Sequence, residues 1–326
     1  MANLWRLQKN TDGNINVGEY CIANSVVAVG WSLNDNHLKD ISPDDMPRAK
    51  EKRSKIQTFQ EYESFVHEYS RYDGKVNSSV KKLYSSFVPD DLIWLRQNGV
   101  YYLGRVTEKS HWFFNHDVEA LEADASNQLS DVEWLEVGDE GKVPGAISTS
   151  MIRGKTIQRI WKTSMLEYSQ LLYNAITGTE HYRVVLPFDS DTFFNLFSTE
   201  DCEDLLCMWL YHKYGYVCIP STNKRATELY ECVLIDPRNG NHIFPQAKAG
   251  KVDIYTSDYQ HLDGEVWLFT TKGSVVGTCG DTIHAADPEE LFRFIASPEA
   301  KTILPDSILR WYNFLKSVNT VENFSS

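Results

Sequence analysis

The segment from position 230 to 250, YECVLIDPRNGNHIFPQAKAG, carries acidic, amide and basic side chains within two apolar runs. Glu231 lies in the first run, and Gln246 and Lys248 lie in the second. A carboxylate and an amide oxygen can bind Mg²⁺, a hard cation that prefers oxygen ligands, with Mn²⁺ as a substitute. A lysine beside them can stabilise the charge that develops on a phosphate under attack. The segment therefore predicts a site that hydrolyses a phosphodiester.

A β-hairpin is the element that would bring these side chains together. A two-residue loop at Asn239-Gly240 pairs Glu231 with Lys248, and a loop one residue earlier pairs Glu231 with Gln246. Because paired residues share a face of the sheet and successive residues alternate, both registers place these three residues on one face. A loop of three or five residues would bring in Asp236 instead, so both acids are candidates and Glu231 is preferred.

A helix before the hairpin offers a further carboxylate. The run STEDCEDLLCMWLYHKYGY begins at Ser198 with a capping pattern and ends at Gly215, and its apolar residues recur at helical spacing. Glu203 falls on the inward face of this helix, three residues before Leu206. Since burial of a carboxylate is costly unless it is paired or binds a cation, Glu203 is the fourth candidate for the site.

The first 160 residues combine strand patterns with tryptophans. The run at 21–32, CIANSVVAVGWS, predicts a strand that ends at Trp31 and Ser32. The run at 90–109 predicts a hairpin around Asn98-Gly99, and DVEWLEV at 131–137 predicts another strand. Trp94 lies within the run at 90–109, and Trp112 follows it.

The sequence predicts two helices in the first 180 residues, and the second of them lies between the two halves of the chain. Apolar residues at three- and four-residue spacing predict a helix within 57–88, and a second helix at 164–178 ends at a glycine. The second half reads as a helix, several strands and further helices. The predicted organisation is a first domain at 1–163, a linker helix at 164–185 and an α/β sandwich at 186–326.

Composition limits the functions that this chain can have. The 326 residues carry a net charge of −13, which opposes non-specific binding to nucleic acid. Basic residues are nevertheless concentrated at 48–55 and at 142–164, and the second segment contains no acid. No apolar run is long enough for a membrane span, and the first residues lack the pattern of a signal peptide. A cytoplasmic protein is expected, and the six cysteines, without any CxxC pair, are expected to be buried thiols.

The second half resembles the PD-(D/E)xK restriction-endonuclease superfamily. CEDLLCMWLYHKYGY is similar to the opening helix of Mrr-like nucleases, and QAK at 246–248 is similar to their QxK motif. The resemblance covers about 186–326 and implies that Glu203, Glu231 or Asp236, Gln246 and Lys248 form a metal-dependent catalytic site. The chain lacks the GGxGxD stretch that precedes the acidic strand in that family.

The first half resembles the PUA-like fold, in particular its EVE branch. The similarity rests on VVAVGWS, on DDLIWLRQNGVYYLGRV, in which Asp91 takes the place of the motif's Asp, and on DVEWLEV, in that order over about 20–160. EVE and the similar YTH domains are barrels with a pocket for an extruded base, so the resemblance implies that the domain at 1–163 is a PUA-like β-barrel with helices that reads a base. Stacking a nucleic-acid base on an aromatic ring contributes about 1–3 kcal/mol. Trp31 and Ser32 are the first candidates for this pocket, with Trp94 and Trp112 as further candidates.

The two resemblances together imply a modification-sensing DNA endonuclease of restriction or anti-phage defence. The first domain would read a base, and the second would cut the DNA backbone with Mg²⁺. DNA is the expected partner, RNA is the less favoured one, and a homodimer is expected if both strands are cut. The alternative is a catalytically inactive nucleic-acid-binding sensor on a nuclease-like fold.

Overall fold

The computed structural model describes residues 2–8, 16–39, 41–72, 74–152, 154–220, 222, 230 and 232–322. The chain forms two compact units, the first from residues 1–140 and 147–183 and the second from residues 141–146 and 184–326. Helices and sheets occur in both units, so the chain is an α+β protein. Across the described ranges, no helix combines the length and the hydropathy needed to cross a membrane.

Two sheets form the framework of the first unit. Its strands are β1 (Leu4–Leu7), β2 (Val27–Val29), β3 (Leu92–Gln97), β4 (Val100–Val106), β5 (Trp112–Phe114), β6 (Asn127–Leu129), β7 (Val132–Gly138) and β8 (Ile157–Ile160). One sheet has the order β7-β4-β3-β1-β8, in which β1 and β3 are parallel, and the other has the order β2-β6-β5. The expected barrel is not closed among the described strands, because β7 and β8 end their sheet as separate edges.

The hairpin predicted around Asn98-Gly99 is confirmed. Gln97 pairs with Val100, so the loop has two residues, and its φ angles are +49° and +82°. Two positive φ angles in succession match the twist of the flanking strands. The strand predicted at 21–32 is shorter than expected, because Cys21 lies in a helix and only Val27–Val29 is extended.

The helices of the first unit pack on these sheets. They are α1 (Val17–Ala23), α2 (Met46–Ser54), α3 (Phe59–Tyr69), α4 (Ser78–Ser85), α5 (Val118–Glu122) and α7 (Thr163–Thr177), and α6 (Gly145–Ser150) spans the boundary between the units. The predicted helix within 57–88 is confirmed in α3, which begins with a capping box formed by Thr58 and Glu61. The inward-facing side chains of α3 join the core of both sheets.

The helix predicted as a linker is α7, and it ends as expected at Gly178, whose φ is +67°. It packs on β3 and β7, and the Trp94 indole N–H donates to Ser169 Oγ on this helix at 2.9 Å. Helix α7 is therefore part of the first unit.

The second unit contains a five-stranded sheet of order β15-β13-β11-β10-β9 and a small pair β12-β14. The strands are β9 (Val217–Cys218), β10 (Leu234–Ile235), β11 (His242–Lys248), β12 (Ile254–Tyr255), β13 (Glu265–Thr270), β14 (Val275–Val276) and β15 (Ile283–Ala285). The helices are α8 (Ser190–Phe194), α9 (Thr199–Tyr214), α10 (Pro288–Ile295), α11 (Ala300–Ile303) and α12 (Asp306–Glu322). As predicted, Ser198 and Asp201 cap α9, and Gly215 ends it.

The β10–β11 hairpin corrects the expected loop. Leu234 pairs with Ile243, and Asp236 N–H donates to the Asn241 carbonyl at 2.9 Å, which encloses a four-residue loop at 237–240. The expectation of two loop residues at Asn239-Gly240 was therefore wrong. The observed pairing is that of the other register considered in the sequence analysis, in which the loop is centred one residue earlier.

The cysteines are all free thiols. Three are buried and two are half-buried, but Cys279 is exposed and departs from the expected burial. In the second unit, the sulfur atoms of Cys207 on α9 and Cys232 lie 3.6 Å apart.

The buried carboxylate of Asp91 joins the first strand to the third. One of its oxygens accepts from the backbone and side-chain N–H groups of Asn3 at 2.7 and 2.9 Å. The other accepts from the Trp5 indole at 2.7 Å and from Val88 N–H at 3.2 Å. The carboxylate of Asp91 is therefore the hydrogen-bond acceptor for four N–H groups at the point where β1 joins the sheet.

We predict that Asp91→Ala lowers the free energy of unfolding by about 3 kcal/mol, because buried donors then lack an acceptor. Asp91→Asn keeps one acceptor oxygen and should lose about half as much. Urea denaturation followed by circular dichroism measures both values. A loss below about 1 kcal/mol for Asp91→Ala would show that this carboxylate is not a structural anchor.

Candidate functional site

A cavity of about 350 Å³ lies in the first unit beside Trp31. This volume is within the range of small-molecule sites. The residues that line it come from the loop after β2, the segment around α4, and the segment that enters β8: Gly30, Trp31, His37, Tyr72, Asn77, Ser78, Ser79, Asp124, Lys155 and Thr156. Trp31, the first base-pocket candidate from the sequence, is thus a wall of a cavity.

The backbone at Trp31 has φ +75°, a conformation that bulky L-residues rarely adopt. Its carbonyl accepts from the Tyr62 hydroxyl and from the Asn127 side-chain amide, both at 3.0 Å. Its N–H donates to Asp124 Oδ2 at 3.3 Å. Strain of this kind persists where the surroundings fix the backbone, and it is concentrated at functional sites.

Asp124 also interacts with the neighbours of Trp31: it accepts a hydrogen bond from Ser32 and lies close to Gly30. Its Oδ1 accepts from Ser32 N–H at 2.8 Å, and a Cβ on Gly30 would lie only 2.6 Å from its Oδ2. Gly30 is therefore required for the close approach of the carboxylate to this turn. Ser32 is fully buried, and its Oγ accepts from Ser126 N–H at 2.9 Å, so it supports the cavity from behind.

Two aromatic rings form a corner of the cavity. The centroids of Trp31 and Tyr72 are 4.8 Å apart, and their planes meet at 72°. A flat ligand can therefore stack on one ring while its edge meets the other, which are the two favourable arrangements of aromatic pairs. The Arg71 guanidinium lies 5.0 Å from the centroid of Tyr72 and donates to its hydroxyl at 2.7 Å.

Positive charge surrounds the side of the cavity that Lys155 lines. Lys82 on α4 donates to the Ile157 carbonyl at 2.8 Å. Burial lowers the pKa of Lys82, and the nearby charges of Lys155 and Arg6 lower it further. Asp124 is the one acid among the described lining residues, and its oxygens already accept backbone N–H groups. The cavity thus presents aromatic faces next to the Lys155 ammonium group, which suits a base and its phosphate.

Trp94 and Trp112, the other candidates for the base pocket, lie away from this cavity. Trp94 is fully buried in β3 and bonds to Ser169, so it is a core residue. Trp112 packs edge-on against Phe59 and Tyr84. Tryptophan content did not distinguish a core ring from a cavity wall.

Several cavity residues carried no strong signal in the sequence. Tyr72, His37 and Asp124 are isolated in turns and loops, where no motif points to them. Lys155 did carry a signal, because it lies in the acid-free segment at 142–164.

The second unit brings two of its four candidates to one face of β11. Gln246 and Lys248 alternate with residues of the opposite face, and Gln246 lies beside Leu268 of β13. Leu268 belongs to a core cluster with Ile254 and Tyr259, so this face is covered by the β12 region. Gln246 is 0% exposed, and its amide donates to the Ala247 carbonyl at 3.2 Å.

Glu203 lies on α9, and α9 packs on the other face of the sheet. Trp209 of α9 contacts Trp267 with ring centroids 5.3 Å apart. Trp267 is next to Pro245 in the register, and Pro245 has the parity opposite to that of Gln246 and Lys248. The helical acid and the two strand residues are therefore not gathered on one face. Glu231 lies outside the described residues.

The described members of this set do not by themselves fit Mg²⁺. Glu203 is their one carboxylate, and Gln246 is enclosed by the core. In the described part of the chain, no three His, Cys, Asp or Glu side chains converge on a point that could hold a metal ion. The strand acid of the predicted site is Glu231 or Asp236, and the structure describes only the second of these.

Asp236, the alternative acid, is committed to the hairpin loop. Its two oxygens accept from Arg238 Nε and Nη2, both at 2.8 Å. The hydrogen bonds from Arg238 hold the pKa of Asp236 below its usual value. The carboxylate therefore stabilises its own turn.

A second cavity of the first unit, about 570 Å³, contains a polar network that the sequence did not indicate. Arg105 Nη2 donates to Glu133 at 2.7 Å and its Nη1 donates to Asp90 at 3.0 Å. His181 Nε2 lies 2.7 Å from Asp90, and the Tyr173 hydroxyl donates to Glu133 at 3.0 Å. The groups satisfy one another, so the network attaches the segment after α7 to the sheet.

The comparisons with known proteins assign no family. The chain matched no family model, no curated protein and no solved structure. A proposal for the function therefore rests on the geometry of the structure and on the sequence motifs.

The Arg105 network predicts a loss of stability in acid. Burial alone would raise the pKa values of Asp90 and Glu133. Hydrogen bonds from His181 and then Arg105 lower the pKa of Asp90, and hydrogen bonds from Arg105 and Tyr173 lower that of Glu133. Carboxylates with lowered pKa values in the folded state stabilise it above their unfolded pKa values of about 3.9 and 4.3. That contribution is lost as the pH falls through the folded values.

Urea denaturation between about pH 5 and pH 3 tests this prediction. The wild type should lose more stability over this interval than the double variant Asp90→Asn, Glu133→Gln, which cannot titrate at these positions. Asp139→Asn, at an exposed carboxylate, is the control and should behave as wild type. Equal losses in wild type and double variant would show that the network does not contribute to the pH dependence.

Proposed function

We propose that this chain binds nucleic acid and reads an extruded base in the cavity beside Trp31. One observation carries the proposal: a strained tryptophan, fixed by three side chains, forms an aromatic corner with Tyr72 next to Lys155. The motifs that resemble the EVE branch support it, because the Trp31 candidate came from them.

The corner provides the means to hold a base. A base stacks on one ring and places its edge toward Asp124, His37 and the polar residues at the start of α4. Each Asp124 oxygen has lone pairs beyond those used by Trp31 and Ser32, so it can accept from an exocyclic amino group. An extruded or single-stranded base exposes that edge, whereas a paired base does not.

We predict that Trp31→Ala and Tyr72→Ala each weaken binding of a fluorescein-labelled single-stranded DNA by about 5- to 100-fold. This range corresponds to about 1–3 kcal/mol for the loss of one base–aromatic stack. Fluorescence anisotropy at fixed salt measures the dissociation constants, and thermal melting verifies that each variant is folded.

Tyr84→Ala is the matched control, because Tyr84 is an exposed ring of the same unit that does not line the cavity. Its affinity should equal that of the wild type. Unchanged binding by folded Trp31→Ala would contradict the base-reading proposal. Matched DNA and RNA, each unmodified, methylated or hydroxymethylated, then identify the preferred base.

A second candidate function is metal-dependent hydrolysis of the DNA backbone by the second unit. The order α9, β9, β10, β11 supports it, since it agrees with the helix, acidic strand and QxK strand of the PD-(D/E)xK resemblance. Gln246 and Lys248 also share a face, and Lys248 is half-buried at the strand end. The sensor without catalysis is the function that remains if this candidate fails.

We predict for this candidate that Lys248→Ala abolishes nicking of a supercoiled plasmid in Mg²⁺ or Mn²⁺ and leaves DNA affinity unchanged. The lysine would stabilise charge on the phosphate, which binding alone does not require. Lys251→Ala, at an exposed position in the following loop, is the control and should cut as wild type. Cleavage that survives in Lys248→Ala would eliminate this site, and a wild type that never nicks would leave the binding function alone.

A further inference from the structure

An exposed tryptophan stands at the end of β8. Trp161 is 76% exposed, the largest exposure among the described large hydrophobic residues of the chain. The Arg159 guanidinium lies over its ring at 4.0 Å from the centroid. Because arginine covers one face of the indole and the ring is still mostly exposed, the other face is open to a flat ligand.

Strand β8 connects this pair directly to the base cavity. Lys155 and Thr156, the residues that enter β8, line the cavity. At about 3.3 Å per residue, Arg159 and Trp161 lie roughly 13 and 20 Å further along the extended strand. Among the described strands, β8 pairs only with β1, so it is the edge of its sheet. Gln158 on this strand is exposed, and Arg159 and Ile160 are half-buried.

The charge along this path suits a phosphate backbone. Among the described residues 154–164, Lys155, Arg159 and Lys162 are basic and none is acidic, although the whole chain carries a net charge of −13. Proteins that bind single strands combine such a basic path with aromatic rings on which successive bases stack. Arg159 can contribute in two ways, because a guanidinium group stacked on an indole holds the ring in place and can also bind phosphate oxygens.

We propose that the Arg159–Trp161 pair is a second stacking platform, which binds the single-stranded DNA that leaves the cavity. This inference rests on the proposed base-reading function and adds the path and the minimum length of the ligand. One base occupies the cavity beside Trp31, the backbone follows β8 past Lys155, and a later base stacks on the open face of Trp161.

The length of the ligand separates the two contacts. A mononucleotide can fill the cavity but cannot reach Trp161, whereas a single-stranded octanucleotide can engage both. We expect Trp161→Ala to weaken octanucleotide binding by about 5- to 100-fold and to leave mononucleotide binding unchanged. Trp31→Ala should weaken the binding of both ligands. Isothermal titration calorimetry with the full chain measures the affinities of the wild type and both variants for each ligand.

The outcomes distinguish this inference from the proposed function. Loss of octanucleotide affinity in Trp31→Ala but not in Trp161→Ala would overturn the second platform and keep the base cavity. Loss in Trp161→Ala but not in Trp31→Ala would overturn the base cavity as the origin of the path. Weaker mononucleotide binding by Trp161→Ala would also overturn the inference, because it would show that Trp161 contributes to binding in the cavity itself and is not a separate platform.

Salt dependence tests the arginine separately. Arg159→Gln should reduce the slope of log affinity against log salt for the octanucleotide by about one, the signature of one lost phosphate contact. Arg159→Lys keeps the charge and should keep the slope. An unchanged slope in Arg159→Gln would show that the backbone does not pass this residue.

Discussion

The carboxylate of Asp124 is the constraint on which the cavity depends. It accepts the N–H groups of Trp31 and Ser32 and thereby fixes the turn at which Trp31 lines the cavity. A strained backbone of this kind costs about 1–3 kcal/mol. A hydrogen bond to a charged acceptor contributes about 1.5–3 kcal/mol, so two such bonds, with the bonds to the Trp31 carbonyl, are enough to offset the strain.

The turn that carries Trp31 is consequently fixed from several sides without any ligand. Tyr62 and Asn127 come from α3 and β6, and Asp124 follows α5, so three separate elements fix one turn. A site that is already formed does not spend binding energy on ordering its own side chains. This preorganisation is what a reader of single bases needs, because one stacked base supplies only a few kcal/mol.

The second unit has a different character. Its polar residues divide between the two faces of the sheet, with Gln246 enclosed by the core cluster and Glu203 on the helix that covers the other face. A phosphodiester must reach its catalytic groups from solvent. The described residues therefore support binding in the first unit more directly than hydrolysis in the second.

Local patterns predicted the elements well. The Asn98-Gly99 turn, the caps of α3 and α9, and the glycine ends of α7 and α9 all depend on interactions within a few residues, which the sequence displays. The β10–β11 loop was predicted wrongly, because Asp236 and Asn241 close it with a backbone bond that a dipeptide signal does not report.

The cavity was predictable only in part. Trp31 was found from the EVE-like motif that ends its strand, but several of the other residues that line the cavity lie far from it in the sequence, among them Tyr72, Asp124 and Lys155. Tyr72, Asp124 and Lys155 meet only because the two sheets and α4 fold around one core. Such long-range convergence depends on the register and packing of whole elements, and no local pattern encodes it.

The central claim is that the corner of Trp31 and Tyr72 holds a base. The most direct measurement is a crystal structure of the full chain with a short single-stranded DNA. The account predicts density for one base in van der Waals contact with the Trp31 or Tyr72 ring, with its edge toward Asp124. A complex in which the DNA binds elsewhere and the cavity contains no base would contradict it.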